Sequence, residues 1–108
     1  MKIVFATDEL RKECNNQELL IKRFGPTIAR LMRRRLDELF NSEVLEDLRS
    51  MPHVNIGGAD WPDLAMDLQP PYRLIFRPVQ TDGNGIADWK KIDSILILGL
   101  RKNDAQTP

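Results

Sequence analysis

The sequence predicts a small α+β domain, in which an antiparallel sheet of about four strands is covered on one face by helices. Three observations support this prediction. Apolar residues recur at helical spacing over the first 40 residues, they alternate with period two between residues 64 and 77, and a nearly continuous apolar run extends from Ile92 to Leu100. The expected helices are an N-terminal helical hairpin and one further short helix.

Length and composition restrict the class of protein. A chain of 108 residues is enough for one domain with its own core. One cysteine and one histidine exclude an internal disulfide framework and a four-ligand zinc site, so neither a metal nor another cofactor is predicted. The apolar runs are too short for a signal peptide or a membrane helix, which predicts a cytoplasmic protein without a membrane partner.

The net charge of zero hides an uneven distribution along the chain. Residues 1–36 carry a net charge of +5, residues 37–72 carry −7 and residues 73–108 carry +2. An asymmetry of this kind indicates either a charged partner or ordinary charged helix surfaces.

The N-terminal third predicts a strand followed by two helices. Residues 2–6 form the strand, and Thr7 caps a helix whose apolar stripe consists of Leu10, Cys14, Ile21 and Phe24. Gly25 and Pro26 then favour the end of one helix and the start of the next.

The second helix, over residues 27–41, has the clearest helical period in the chain. Its predicted apolar face consists of Ile28, Leu31, Met32, Leu36, Leu39 and Phe40. The i,i+4 spacing predicts ion pairs of Arg33 with Asp37 and of Arg34 with Glu38. Arg35 lies inside the apolar stripe, where an unpaired charge is costly, so we expect it to meet a carboxylate or a carbonyl.

The remaining elements are mostly strands. A short helix over residues 42–51 ends at Pro52, and a loop over residues 53–62 follows. Alternation turns Leu64, Met66 and Leu68 inward on one strand, and it turns Arg73 and Arg77 away from the core on the next. After a polar loop over residues 78–91, a central strand begins at Ile92, and Leu96 and Leu98 are expected in the core. The domain is predicted over residues 1–101, with a polar tail over residues 102–108.

Several segments carry a resemblance to a known family. They are residues 42–52, Leu68 with the Tyr-Arg-Leu-Ile-Phe-Arg-Pro motif at residues 72–78, residues 85–90 with Asp-Trp-Lys, and residues 95–98. Together they resemble the RelE/ParE toxin superfamily, in its HigB-like (killer protein) branch. The resemblance covers about residues 40–100 by motif and the rest by element order.

The resemblance implies a type II toxin of a toxin–antitoxin pair, which cleaves mRNA in the ribosome without a metal. Its partners would be the ribosome, mRNA and a cognate helix-turn-helix antitoxin. Arg73 matches the strand arginine of the family, Arg77 shares its face, and His53 is the only imidazole. These three residues are the catalytic candidates, because arginine binds phosphate bidentately and stabilises developing negative charge. The RNA-binding candidates are Arg101, Lys102, Lys90 and Lys91.

One departure from the family leaves other functions open. Relatives end the last strand with a motif containing Tyr and His, whereas residues 99–104 contain neither. One alternative is a degenerate, non-catalytic RelE-like domain, and another is a ParE-like inhibitor of DNA gyrase. A third is an α+β domain in which Arg73 and Arg77 only pair with acids such as Asp67. The sequence does not predict an oligomeric state.

Overall fold

The fold has the α+β class expected from the sequence. The computed structural model describes residues 1–51, 53–55, 63–79 and 89–102. In chain order its elements are β1 (Lys2–Phe5), α1 (Asp8–Cys14), α2 (Gln17–Phe24), α3 (Pro26–Asn41), a 3₁₀ helix (Leu45–Ser50), β2 (Val54–Asn55), β3 (Leu64–Asp67), β4 (Tyr72–Pro78) and β5 (Ser94–Lys102).

The strands form one sheet in the order β1-β5-β4-β3-β2. Strands β2 to β5 pair with their neighbours in antiparallel orientation, whereas β1 runs parallel to β5. The sheet is therefore mixed and has five strands among the described residues, whereas an antiparallel sheet of about four strands was predicted. A parallel pair requires a long crossover connection, which the chain between β1 and β5 supplies.

The segment predicted as a helical hairpin contains three helices, α1 to α3, instead of the expected two. Asn15 and Asn16 interrupt the predicted first helix, and the Asn16 side chain accepts from the backbone N–H of Glu18 at 3.0 Å as the cap of α2. Helix α2 therefore does not continue the helical phase of α1, and a different set of its residues faces the core. As a result Leu20 is buried and Ile21 is exposed, in contrast to the single stripe predicted from the sequence.

The boundary between α2 and α3 follows the sequence prediction. Gly25 has a φ of 87° and Pro26 is the first residue of α3. Most of the predicted apolar face of α3 packs into the core, but Phe40 is 68% exposed. Phe40 follows the fully buried Leu39 by about 100° around the helix axis, which turns its ring out of the core.

The core lies between the helices and one face of the sheet. Its largest fully buried side chains include Phe76, Leu20, Met32, Leu39, Leu45, Leu48, Leu64, Met66, Leu74, Ile95 and Ile97. The prediction of Leu96 and Leu98 in the core is wrong. Phe76 is paired with Ile97, which turns Ile95 and Ile97 inward, and an apolar run without alternation does not reveal this choice.

The 3₁₀ helix is held against the turn that precedes β5. Leu45 N–H donates to the carbonyl of Ile92 at 2.8 Å, and Glu46 N–H donates to that of Trp89 at 3.0 Å. The Arg49 guanidinium lies 4.0 Å from the centre of the buried Trp89 ring. The segment of residues 42–52 and Trp89, which both belong to the stretches that resemble the family, are thus in contact.

Some sequence predictions lie outside the described residues. They concern Pro52, the loop residues 56–62, residues 80–88 of the second loop and the tail residues 103–108. Lys102 belongs to β5, so the strand extends one residue into the predicted tail. No helix in the described part of the chain is both long and apolar enough to cross a bilayer.

Candidate nucleic-acid interface

Strand β4 carries both predicted strand arginines on the sheet face that points away from the helices. Leu74 and Phe76 point into the core, and Arg73 and Arg77 alternate with them, as the sequence predicts. Arg73 is 24% exposed and Arg77 is 45% exposed. Ile75 lies between them on this outer face and is only 2% exposed, so the middle of this face is buried.

Each of these arginines faces a carboxylate at one end of the neighbouring strand β3. Arg73 Nε lies 3.3 Å from Asp67 Oδ1, and Arg77 Nε donates to Asp63 Oδ1 at 2.8 Å. The Asp67 pair was one of the alternatives open from the sequence, whereas Asp63 was not singled out. The register that pairs Leu64 with Phe76 also places Asp63 opposite Arg77. Once Asp67 is paired with Arg73 in an antiparallel hairpin, the same register predicts the second pair of Asp63 with Arg77.

A bulge in β5 brings Arg101 to the same face. Phe76 pairs with Ile97 but Ile75 pairs with Gly99, so Leu98 is the extra residue. Gly99 adopts a φ of 134°, which is accessible to glycine and strained for other residues. Because of the one-residue shift, Arg101 and not Leu100 lies directly opposite Arg73.

His53 lies at the other side of the same row. Its backbone carbonyl accepts from the Asp67 N–H at 2.8 Å, one step along the register that pairs Val54 with Met66. The order across the sheet is therefore His53, Asp67, Arg73, Arg101, which we call the Arg73 row. Strands are spaced by about 4.8 Å, so the row spans about 14 Å. The His53 side chain is exposed.

The Arg73 row is supported from the core side by Arg35. Arg35 is 3% exposed, and its Nε donates to the backbone carbonyl of Asp67 at 3.1 Å. Its Nη1 binds the Glu38 carboxylate. The expectation that Arg35 meets a carboxylate or a carbonyl is confirmed by both contacts. The predicted pair of Arg34 with Glu38 is not formed, because Glu38 binds the buried arginine instead.

The other predicted site residues lie elsewhere. Arg77 is on the same strand as Arg73 but about 13 Å along it, so the two arginines do not converge on one phosphate. Lys90 and Lys91 precede β5, whereas Arg101 and Lys102 end it, about 27 Å away along a nine-residue strand. Lys102 pairs with Tyr72 and so faces the helical side. The seven candidates therefore form two groups at opposite ends of the sheet.

A shallow cavity adjoins the Arg73 row. Its volume is about 190 Å³, and it is lined by Asp67, Leu68, Pro70, Pro71, Tyr72 and Arg73. Its lining combines one cation, one carboxylate and one aromatic ring. Two guanidinium groups directly opposite each other on paired strands repel, and a bound anion relieves this repulsion. The arrangement can therefore hold a phosphate group between Arg73 and Arg101.

The donor set offers no place for a metal ion among the residues that the structure describes. There, no three His, Cys, Asp or Glu side chains are grouped in a way that could hold one. Comparison with known proteins gives no match to a family model, to a curated protein or to a solved structure.

Proposed function

We propose that this protein is a toxin of the RelE/ParE kind that binds the RNA backbone at the Arg73 row and cleaves mRNA on the ribosome. The observation that carries the proposal is the position of Arg101 directly opposite Arg73 on the outer sheet face. The motif resemblance at residues 42–52 and 72–78 supports the same function. The activity belongs in the cytoplasm, and a helix-turn-helix antitoxin would be its cognate partner.

The proposed reaction needs only the RNA and side chains. The ribose 2′-oxygen forms a bond to the adjacent phosphorus, and the bond from phosphorus to the 5′-oxygen breaks. The products are a 2′,3′-cyclic phosphate and a 5′-hydroxyl, so one proton leaves the 2′-hydroxyl and one reaches the 5′-oxygen. His53 is the only imidazole available for proton transfer, and it lies beside Asp67 in the Arg73 row.

Arg73 and Arg101 stabilise the charge that develops on the phosphoryl oxygens. Preorganised donors aimed at such a charge contribute about 2.7–4 kcal/mol to the transition state. Arg77 contacts a different phosphate, because it lies about 13 Å from Arg73 along β4. Lys90 and Lys91 extend the same interface at the far end of the sheet.

Three alanine variants test this function, with cleavage of mRNA on translating ribosomes as the measurement. Arg73→Ala and Arg101→Ala should each lower the cleavage rate by about 100-fold or more, and relieve growth arrest on induced expression. Arg30→Ala is the matched control, since this exposed arginine carries the same charge on α3, in the helical layer, and not in the Arg73 row. The proposal fails if the wild-type protein leaves mRNA intact, or if Arg30→Ala has the same effect as Arg73→Ala.

A second candidate function is a non-catalytic binding module. The ion pairs of Arg73 with Asp67 and of Arg77 with Asp63 favour it, because each predicted catalytic arginine already holds a carboxylate. Asp67→Asn separates the two functions. If the carboxylate competes with phosphate, this variant should bind RNA more tightly and cleave at least as fast.

If the pair is only structural, Asp67→Asn should lower the melting temperature slightly and leave RNA binding unchanged. Growth arrest with intact mRNA and altered plasmid supercoiling would instead indicate gyrase as the target.

A further inference from the structure

A groove lies on the helical side of the molecule, away from the Arg73 row. It has a volume of about 350 Å³ and runs between the end of α1, the helix α3 and the edge strand β1. Its floor is apolar, and its rim carries one cation and one anion. The floor residues are Ile3, Phe5 and Leu36, and the rim residues are Arg33, Asp37 and Phe40.

The rim residues are available for a partner. Phe40 is 68% exposed, the largest value among the exposed large apolar side chains of the described residues. Arg33 and Asp37 have the i,i+4 spacing of an ion pair, but neither engages in an ion pair within the part of the chain that the structure describes. The sequence-based pair of Arg33 with Asp37 is thus corrected, and both charges face solvent.

The arrangement is complementary to itself. When two copies of α3 lie antiparallel about a two-fold axis midway between Arg33 and Asp37, Arg33 of one copy faces Asp37 of the other, and the reverse. The same axis carries Phe40 of each copy toward the end of the other groove that is lined by Phe5 and Arg33. One patch thus provides both the projecting ring and the cavity that receives it.

We propose that this groove is the interface of a two-fold symmetric dimer of the chain. The self-complementary charges identify a second copy as the occupant, because a groove with one cation and one anion at this spacing selects the same pair in reverse order. A cationic or anionic peptide would meet one like charge there. The inference does not rest on the proposed function, since the Arg73 row lies on the opposite sheet face.

The first experiment measures the mass of the protein by sedimentation equilibrium between micromolar and millimolar concentration. The wild-type chain should dimerise, and Phe40→Ser should raise the dissociation constant at least tenfold, because buried aromatic anchors dominate interfaces. Val79→Ser is the control, since it removes another exposed apolar side chain directly after β4 and should leave the dimer unchanged. Unchanged melting curves of the dilute variants verify that both fold.

The second experiment tests the charge pairing directly. Arg33→Asp alone and Asp37→Arg alone should each be monomeric, because like charges then meet across the axis. A mixture of the two variants should form a heterodimer, because the pair of acids on one chain meets the pair of arginines on the other. This recovery on mixing requires the proposed alignment and is not expected from a general effect of charge.

Three results would overturn the inference. They are a wild-type chain that stays monomeric up to millimolar concentration, a dimer that Val79→Ser disrupts and Phe40→Ser does not, and single charge variants that do not recover on mixing. A monomer whose groove is protected only on co-expression with another protein would assign the groove to that protein instead. Each of these results leaves the test of RNA cleavage unaffected.

Discussion

Arg35 is a charged side chain that connects the core to the candidate site. It is buried on α3, and its Nε–H donates to the Asp67 carbonyl, while the Asp67 carboxylate faces Arg73 on the outer side. The backbone of β3 is therefore held on one side by an arginine of the helical layer, while its side chain contacts an arginine of the sheet. A substitution at Arg35 should therefore affect the position of Arg73.

Arg35→Met keeps most of the apolar stem and removes the donors. We expect a loss of about 1–3 kcal/mol in the free energy of unfolding, because the Asp67 carbonyl and the Glu38 carboxylate lose their buried partner. Urea denaturation measures this loss. Arg34→Met is the control on the same helix, and its exposed side chain should matter little. A neutral Arg35→Met would mean that the contacts contribute nothing to stability.

Cys14 predicts a dependence of stability on alkaline pH. Burial, with a smaller contribution from the charge of Glu13, raises the pKa of this thiol from its ordinary 9.0 to about 11. Between these values the unfolded chain has lost the thiol proton and the folded chain has kept it. Stability should therefore be fully present below about pH 9 and fall as the pH rises toward 11, by up to about 2–3 kcal/mol.

Denaturation curves of the wild type and of Cys14→Ala between pH 8 and pH 11 check this expectation. The alanine variant should lose less stability over that range, since it has no thiol to titrate. Parallel curves for the two proteins would contradict the assignment.

At the scale of the element, the bulge in β5 determines which side chain meets Arg73. Strands have a side-chain period of two, so the extra residue Leu98 exchanges the faces of everything that follows it. The strand thereby buries Ile95 and Ile97 in its first half and presents Arg101 on the outer face in its second half. One irregular position serves both the core and the site.

Gly99→Ala tests the role of the bulge. A Cβ at this position would meet nothing within 4 Å, so the cost arises from the φ of 134° alone. We expect a loss of about 1–3 kcal/mol in stability. If the strand relieves the strain by giving up the bulge, Arg101 leaves the outer face and RNA affinity falls as well. Unchanged thermal stability and RNA affinity would contradict this role of Gly99.

Phe76 anchors β4 to the helical layer and is fully buried. Phe76→Ala should lower the free energy of unfolding by about 3–5 kcal/mol, measured by urea denaturation. Phe40→Ala removes the same ring from an exposed position and should cost less than about 0.5 kcal/mol in the dilute monomer. Equal effects of the two variants would refute the placement of Phe76 in the core.

At the scale of the whole molecule, part of the charge asymmetry along the sequence is balanced by ion pairs within the fold. Acids of the central third, Asp63 and Asp67, face arginines of the last third, and Glu38 faces Arg35 of the first third. The segments of opposite charge thus meet within the fold. On the exposed face of α3, Arg30, Arg33, Arg34 and Asp37 form no ion pair within the described residues and are available to partners.

Sequence patterns predicted much of the fold and less of the site. Alternation identified the outward face of β4 with Arg73 and Arg77, and the helical period identified Arg35 as a charge in need of a partner. The pairing of Arg101 with Arg73 was beyond the sequence, because a register and a bulge are set by packing between strands that are distant in the chain. For the same reason the sequence did not predict which residues of β5 face the core, or that β1 pairs with β5 in parallel orientation.

The position of β5 within the sheet has a consequence for the order of events during translation. This strand is the last of the described strands to be synthesised, and it lies between β1 and β4, with Ser94 beside Lys2. Until it leaves the ribosome, β1 lacks its strand partner in the described sheet and Arg73 has no Arg101 opposite it. Pairing across such a separation is slow compared with local helix formation. While the protein is being made, its Arg73 row is therefore incomplete. The row assembles only after β5 has emerged from the ribosome.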